Sequence, residues 1–233
     1  MFILAGDNSA AMVDLLGPLG FDGAWIEGEH GAVDFADIPD ITRACDLWGM
    51  TSVARVNVNM PGVIYRTLDV GAQGVAVPHV NTADEARAVV DAAKFGPIGH
   101  RGAYTSRQGF GVPDYVARAN DETLLVILIE DIVAVNDLAD ILTVDHIDVF
   151  FVAPGDLAQS MGYPGQANHP EVQATVDKAV AQINAAGRVA GGVTSESAVV
   201  DDIRRGVRFL NVNWTPLITS AVAGFLEKAA AGS

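Results

Sequence analysis

The chain has 233 residues, with 14 lysine and arginine residues against 29 aspartate and glutamate residues, so its formal net charge is −15. A protein that binds nucleic acid needs a basic face, and only 18% of these residues are charged, most of them negatively. This balance excludes nucleic acid as a partner. Half of the residues are hydrophobic, which is enough for one large core at this length.

The only cysteine, Cys45, lies in DITRACDLWG with the apolar spacing of a helix, so we expect a buried thiol rather than a nucleophile. No disulfide can form within the chain. The N-terminus lacks a basic region, and no stretch of about 18 apolar residues occurs. These features predict no membrane partner and a location in the reducing cytoplasm.

Eight short apolar segments alternate with amphipathic helical segments along the whole chain. Several are apolar at consecutive positions, which is typical of parallel strands covered on both faces. Many of the helical segments begin at Ser, Thr, Asp or Pro and end at Gly, as helices do. In chain order the predicted strands are FILAG, GAWIEG, TSVARVN, GVAVPHV, LLVILIED, DVFFVAP, RVAGGVT and RFLNVNW.

Eight strands, each followed by a helix, predict a (β/α)8 TIM barrel, for which about 250 residues are typical. A doubly wound sheet is the alternative, but no strand is followed by GxGxxG or GxxxxGK[ST]. No linker marks a boundary, so we expect a single domain over 1–233. The Gly-rich stretch from Gly96 to Asp121 is too long for a tight connection, and we expect it to form a wall of the active site.

Two carboxylates follow adjacent predicted strands at the C-terminal mouth, where TIM barrels carry their active sites. Glu130 ends the apolar run LLVILIE, and Asp156 follows the next strand. Neighbouring parallel strands lie about 5 Å apart, so the pair can bind one divalent cation and leave room for water and a bidentate ligand. The alternative is that each carboxylate caps the helix that follows it. We predict a metal site at this pair.

Two further candidates end the second and third strands. His30 lies beside Glu27 and Glu29, and a carboxylate that orients an imidazole supports a general base near neutral pH. A structural histidine is the alternative. The fork of Arg55 suits a carboxylate or an enolate, and a salt bridge to Glu27 or Asp69 is its alternative. The remaining histidines are interpreted as structural: His79, His100, His146 and His169.

Lysine occurs only three times, at Lys94, Lys178 and Lys228. A Schiff-base aldolase or decarboxylase needs a lysine on a barrel strand or at the mouth. All three lysines fall on predicted outer helices, so the sequence disfavours Schiff-base chemistry. Polarisation of a carbonyl by a metal ion is the remaining economical way to stabilise an enolate.

These motifs together resemble the HpcH/HpaI family of metal-dependent pyruvate aldolases, which includes class II 2-keto-3-deoxy-sugar-acid and 4-hydroxy-2-oxo-heptanedioate aldolases. The resemblance covers nearly the whole chain. The segments that carry it are GFDGAWIEGEH at 20–30, VARVN with LDVGAQ at 53–73, VPHVNTADEAR at 77–87, HRG at 100–102, IED at 129–131, APGDLAQSMGYPG at 153–165 and HPEVQATVDKAV at 169–180.

The resemblance implies a reversible aldol reaction between the enolate of a pyruvate-like 2-oxo acid and an aldehyde. It implies that Glu130 and Asp156 bind a divalent metal ion, Mg²⁺ or Mn²⁺, with Co²⁺ and Zn²⁺ as alternatives. Arg55 would stabilise the enolate oxygen. The alternatives are a related enolate lyase, such as an oxaloacetate-type decarboxylase or a lyase of CoA esters, and a non-catalytic barrel with a degraded site.

The same resemblance implies roles for other residues of the mouth. His30 matches the base, Glu27 the group that orients it, and Asp69 a carboxylate that supports it from across a subunit boundary. Backbone N–H groups around Ala153 and Gly155 would hold the substrate carboxylate. The resemblance also implies a homo-oligomer, a hexamer built as a trimer of dimers, in which a C-terminal helix of about 216–231 is exchanged between subunits.

Four positions depart from the family pattern, and they bear on the identity of the donor and the acceptor. Glu27 stands where Asp is common, Leu128 where Gln is common, and Ala153 where Gly is frequent. Trp214 replaces smaller or polar residues after the last strand. We expect Trp214 to contact the acceptor part of the substrate.

Overall fold

A computed structural model describes residues 1–104 and 107–232 of the chain. Eight parallel strands close a barrel in chain order, each hydrogen-bonded to the next and the last to the first, which confirms the predicted TIM barrel. The strands are β1 (Phe2–Ala5), β2 (Gly23–Glu27), β3 (Thr51–Arg55), β4 (Gly74–Val77), β5 (Leu124–Ile129), β6 (Val149–Val152), β7 (Ala190–Thr194) and β8 (Val207–Asn213).

Helices follow the strands on the outside of the barrel. No helix of the described ranges combines the length and the apolar character that a membrane span requires. The helices are α1 (Ala10–Leu16), α2 (Ile38–Leu47), α3 (Pro61–Asp69), α4 (Ala83–Ala93), α5 (Tyr115–Glu122), α6 (Ile132–Asn136), α7 (Leu138–Ile141), α8 (Pro154–Ser160), α9 (Pro170–Ala185), α10 (Val199–Arg204) and α11 (Trp214–Ala231).

An aromatic cluster fills the barrel interior, and we call it the aromatic floor. It consists of Trp25, Phe151 and Phe209, whose ring centroids lie 5.5–6.5 Å apart. A Cβ atom at residue 191 would come within 2.8 Å of the Phe151 ring, so Gly191 leaves the space that this ring occupies. Burying each ring stabilises the fold by roughly 1.5–3 kcal/mol. The site above therefore rests on a packed interior.

The outward residues of the strands pack against the helices and form the rest of the core. Cys45 of α2 is fully buried there, among residues such as Leu4 and Ile26. Burial raises the pKa of the Cys45 thiol to about 12, so the group stays protonated at neutral pH. The geometry agrees with an inert apolar thiol.

The stretch from Gly96 to Asp121 lies at the opposite end of the barrel from the mouth of its own chain. It follows α4 and leads through α5 into β5, so it is a connection from a helix to a strand. Arg107 binds Asp46 there, at the end of α2. The expectation that this stretch walls the active site of its own chain is therefore wrong. Two of its residues, Thr105 and Ser106, lie outside the described part.

Helix α11 begins at Trp214, two residues earlier than expected, and none of its residues is buried. Its apolar side chains face solvent in the single chain, and Phe225 is 69% exposed. An apolar helix gains most of its stability in proteins from packing. This helix lacks the packing that the other long helices have.

Candidate active site

A cavity of about 500 Å³ opens at the mouth of the barrel, above the aromatic floor. Its walls carry Glu27, His30, Arg55 and Asp156 of the predicted site, together with residues of the loop after β1. Glu130, Asp69 and Trp214 are not among the residues that line it. The lining residues are Ala5, Gly6, Asp7, Trp25, Glu27, His30, Gly31, Arg55, Leu128, Phe151, Ala153, Pro154, Gly155, Asp156, Val193, Asn211 and Asn213.

Glu130 is a buried carboxylate with one unsatisfied oxygen. It follows β5 and is only 1% exposed. Its Oε1 accepts the backbone N–H of His79 at 2.8 Å, whereas its Oε2 is buried and accepts no hydrogen bond from the described residues. Burial raises the pKa of Glu130, and the charges of Asp156 and Glu29 raise it further, against the opposing effect of His79. A cation at Oε2 would compensate this cost.

Asp156 is the second carboxylate of the predicted metal pair. It lies in the first turn of α8 and lines the cavity, and its charge acts on Glu130. Within the described part of the chain, no three His, Cys, Asp or Glu side chains converge as a metal site. The predicted pair offers carboxylate oxygens, the kind of donor that a hard divalent cation prefers.

Arg55 ends β3 and binds two carboxylates of the β2 end. Its Nε lies 3.1 and 2.9 Å from the two oxygens of Glu27, its Nη2 lies 2.8 Å from Glu27 Oε2, and its Nη1 lies 2.9 Å from Glu29 Oε2. The alternative of a salt bridge to Glu27 is therefore observed, and one to Asp69 is not. Because the carboxylates hold the guanidinium within the cavity wall, the pairing also fixes its orientation toward the cavity.

Glu27 organises the loop that carries His30. Its Oε1 accepts the backbone N–H groups of Glu29 and His30, both at 2.9 Å, and its Oε2 accepts the indole N–H of Trp25 at 3.1 Å. Burial raises the pKa of Glu27, but the hydrogen bonds and charge of Arg55 and the backbone donors lower it more, so the net pKa is lowered. Glu27 thus contacts the backbone of His30, and the closest carboxylate to its ring is Glu29, 3.8 Å away.

His79 joins the network, although the sequence indicates only a structural histidine. Its Nε2 lies 3.7 Å from Glu29 and its Nδ1 lies 3.5 Å from Glu130. Its backbone has φ +52°, a conformation that L residues rarely adopt. Ionisable side chains therefore follow one another along the ends of β2 to β5, from Glu27 through Arg55, Glu29 and His79 to Glu130.

Asp69 lies far from His30 within one chain. It is the last residue of α3, and helices of the barrel end at the face opposite the mouth. There its carboxylate accepts a hydrogen bond of 2.7 Å from the buried Arg101. A contact with His30 requires a second copy of the chain.

The strand-end turn of β6 differs in detail from the expectation. The backbone N–H of Ala153 is bound to the carbonyl of Ile129 at 3.3 Å, so it is not available for a substrate carboxylate. Gly155 lies in the first turn of α8, where backbone N–H groups have no helical partner, and a Cβ there would meet nothing within 4 Å. Of the two predicted contacts, only Gly155 presents an open backbone surface.

Trp214 does not line the cavity, so the expected contact with the acceptor is not supported. It is the first residue of α11, and its indole N–H donates to Asn8 Oδ1 at 3.2 Å. The ring lies against Gly6, whose φ of +124° and missing side chain make room for it. Trp214 therefore packs against the loop after β1 rather than facing the cavity.

Asn211 is a cavity residue that the sequence reasoning missed. It lies on β8, two residues after Phe209 of the aromatic floor, and is 7% exposed. Alternate residues of a strand point to the same face, so Asn211 faces inward with Phe209. A polar residue at an inward position of an apolar strand was the available signal.

Comparisons with known proteins agree with this geometry. The model of a family described as HpcH/HpaI aldolase/citrate lyase matches residues 1–213. A 2-keto-3-deoxy-L-rhamnonate aldolase of Klebsiella pneumoniae is 36% identical over 92% of this chain and 83% of its own. A 4-hydroxy-2-oxo-heptane-1,7-dioate aldolase of Salmonella dublin is 39% identical over 84% of this chain and 75% of its own. A solved HpcH/HpaI aldolase/citrate lyase family protein from Burkholderia cenocepacia superposes with a TM-score of 0.91 at 26% identity, covering 98% of this chain and 93% of its own.

Proposed function

Because the chain belongs to the HpcH/HpaI aldolase/citrate lyase family, we propose that it is a metal-dependent class II aldolase. Its reaction would be reversible aldol addition of a pyruvate-like 2-oxo acid to an aldehyde. The observation that carries the proposal is the buried Glu130, whose Oε2 accepts no hydrogen bond from the described residues, beside Asp156 at a mouth that also presents Arg55.

Glu130 and Asp156 would hold the divalent metal ion. The unsatisfied Oε2 of Glu130 fits a cation, and hard oxygen donors favour Mg²⁺ or Mn²⁺ over softer ions such as Co²⁺ and Zn²⁺. When bound, the ion would polarise the keto carbonyl of the substrate and make its C3 proton more acidic. The two carboxylates also leave coordination positions open, as a bidentate 2-oxo acid requires.

Arg55 would stabilise the enolate oxygen. Two of its nitrogens face Glu27 and a third faces Glu29, so the guanidinium is held before substrate binds. A donor that is fixed in advance does not have to reorganise when charge develops on the enolate oxygen, which is why such groups lower barriers effectively. The carboxylates of Glu27 and Glu29 act here as positioning groups.

His30 would act as the base. It lines the cavity, and the loop that carries it is fixed by Glu27. It takes a proton from C3 of the 2-oxo acid; the resulting enolate carbon forms a bond to the aldehyde carbon, and the aldehyde oxygen takes up a proton. Asp69 of a second copy would support the imidazole, because Asp69 of the same chain lies at the other end of the barrel. The carboxylate of the 2-oxo acid would lie against Gly155.

The direct experiment measures pyruvate release from a 4-hydroxy-2-oxo acid, with and without EDTA. We expect release that stops on chelation and returns when Mg²⁺ or Mn²⁺ is added back. In parallel, NMR would follow deuterium exchange at the methyl group of pyruvate in the absence of any aldehyde, which isolates enolate formation. Activity that persists unchanged after chelation would exclude the metal mechanism, and absence of both reactions would exclude the aldolase.

We also propose a homo-oligomer, a trimer of dimers, in which α11 is exchanged between copies. Two observations support it: α11 has no buried residue, and an apolar groove of about 450 Å³ lies beside its first turn. The groove is lined mainly by Phe2, Leu19, Phe21, Val199, Val212 and Leu217.

Light scattering of the purified protein tests this assembly. We expect the mass of six chains for the unmodified protein. Phe225→Glu should give smaller species, because residue 225, exposed in the single chain, would be buried between copies and the variant would place a charge there. Lys228→Glu, at an already charged position of the same helix, is the control. A monomeric unmodified protein would exclude the exchange.

The cytoplasm remains our proposed location. The single cysteine is buried and its thiol pKa is raised, so the fold makes no use of an oxidising compartment. Fractionation of the producing cell, followed by detection with an antibody, tests this.

A further inference from the structure

The wall of the cavity formed by β7, β8 and the loop after β1 has a different chemistry from the wall formed by β2 to β6. Asn211 and Asn213 face inward on β8, and Asp7 lies on the loop after β1. Val193 pairs with Asn211 in register across β7 and β8. This wall presents amides and one carboxylate, whereas the other wall carries Glu27, Arg55 and Asp156.

Asn211 has hydrogen-bonding capacity that the protein does not use. It is 7% exposed, yet no described residue makes a hydrogen bond to its side chain, whereas Oδ1 of Asn213 accepts the backbone N–H of Thr215 at 2.9 Å. Its amide atoms are not among the buried unsatisfied atoms of the described residues, so they are open to water in the cavity. A ligand hydroxyl both donates and accepts, as the carboxamide does, so it would replace this water.

The charge of the same wall disfavours a second carboxylate on the ligand. Asp7 is exposed at the rim and forms no ion pair among the described residues. Arg55 is the only lysine or arginine that lines the described cavity, and it already faces Glu27 and Glu29. An acidic group that reached this wall would meet a negative charge without a compensating cation.

We propose that Asn211 and Asp7 form the acceptor subsite, and that this subsite takes neutral hydroxyaldehydes and discriminates against aldehydes with a distal carboxylate. The proposal rests on the proposed aldolase function. Asn211 supplies hydrogen bonds to an acceptor hydroxyl, and Asp7 repels an acidic acceptor. Specificity follows from these two residues, because the metal pair and Arg55 act on the 2-oxo acid.

The test compares kcat/KM for addition of pyruvate to three acceptors: glyceraldehyde, propanal and succinic semialdehyde. We expect the unmodified protein to prefer glyceraldehyde. Asn211→Leu should lower the glyceraldehyde value about tenfold, the equivalent of one neutral hydrogen bond, and leave propanal unchanged. Asp7→Asn should raise the succinic semialdehyde value about threefold. Asp145→Asn, which removes one charge from an exposed position at the other end of the barrel, is the control.

Deuterium exchange into pyruvate separates this proposal from the aldolase proposal. Exchange needs no acceptor, so it is measured in the unmodified protein, and the Asp145→Asn control should exchange at the same rate. If exchange occurs but the unmodified protein prefers succinic semialdehyde, or if Asn211→Leu lowers all three acceptors equally, the acceptor subsite is wrong while the enolate chemistry stands. If exchange fails in the unmodified protein, the aldolase proposal itself is wrong.

Discussion

The two ends of the barrel each bury an ionisable side chain, and they treat it differently. At the end opposite the mouth, Lys94 is 3% exposed, and its Nζ donates to the carbonyls of Asn120 and Thr123, both at 2.7 Å. At the mouth, Glu130 is 1% exposed and keeps one oxygen without a hydrogen bond from the described residues. Burial lowers the pKa of Lys94 and raises that of Glu130.

Both side chains are buried, and they differ in whether their polar atoms have hydrogen-bond partners. The ammonium group of Lys94 donates to backbone carbonyls of the fold. These hydrogen bonds join the end of α4 to the residues around α5. Oε2 of Glu130 has no such partner among the described residues, and the negative charge of Asp156 raises the pKa of Glu130 further. The unsatisfied oxygen of Glu130 therefore fits a ligand, whereas the satisfied ammonium of Lys94 stabilises the fold.

The largest effect is expected from Glu130→Gln. The amide keeps the shape but loses the charge, so titration calorimetry with Mn²⁺ should detect no binding, and pyruvate release should fall by roughly 1,000-fold or more. Thermal stability should not fall, because the cost of a buried carboxylate is removed. Glu122→Gln, on the exposed face of α5, is the control. Unchanged Mn²⁺ affinity would contradict the assignment.

Arg55→Ala should be nearly as severe. Removing one fixed oxyanion donor costs about 100- to 1,000-fold in kcat in comparable sites. Steady-state kinetics and deuterium exchange into pyruvate should fall together, while Mn²⁺ binding persists. Arg43→Ala, which breaks an exposed ion pair on α2, provides the comparison. A near-normal exchange rate for Arg55→Ala would remove the enolate role.

Lys94→Met should change stability and leave the chemistry intact. The carbonyls of Asn120 and Thr123 would lose their donor, at a cost of about 1–3 kcal/mol in the free energy of unfolding. Urea denaturation measures this, and kcat at a permissive temperature should match the unmodified protein. Lys178→Met, at an exposed position of α9, should be neutral. Loss of kcat without loss of stability would mean that the far end takes part in the reaction.

The smallest effect is expected from Cys45. With a thiol pKa of about 12, the native protein should resist iodoacetamide at pH 8, and labelling should require unfolding. Cys45→Ala should cost about 1 kcal/mol of stability and leave kcat unchanged. Rapid labelling of the native protein would show that this part of the core opens readily.

The fold could be predicted from the sequence because eight short strand-like segments alternate with amphipathic helical segments, many of which carry end signals. The metal pair could be proposed because Glu130 and Asp156 follow adjacent strands. The far-end position of Gly96 to Asp121 was also readable, since this stretch follows a helix, but its length and glycine content suggested a functional loop. Chain order, rather than composition, decides which end a loop joins.

Other parts of the site depend on side-chain direction, which a linear pattern does not fix. His79 reaches Glu29 and Glu130 through a backbone conformation with positive φ, and no local motif predicts that. Trp214 begins α11 instead of continuing β8, and its ring packs against Gly6 rather than lining the cavity. The backbone N–H of Ala153 donates to the carbonyl of Ile129 at the end of the neighbouring strand, and only the strand register shows this.

The aromatic floor determines by which route substrates enter the cavity and products leave it. Trp25, Phe151 and Phe209 are each less than 5% exposed, so they plug the barrel beneath the cavity, and exchange with solvent goes through the mouth. Glu130 is buried while Asp7 and Asn213 stand at the exposed rim. In a cavity with a single opening, the molecule that binds deepest has to bind first and dissociate last. A molecule bound at the rim blocks its release.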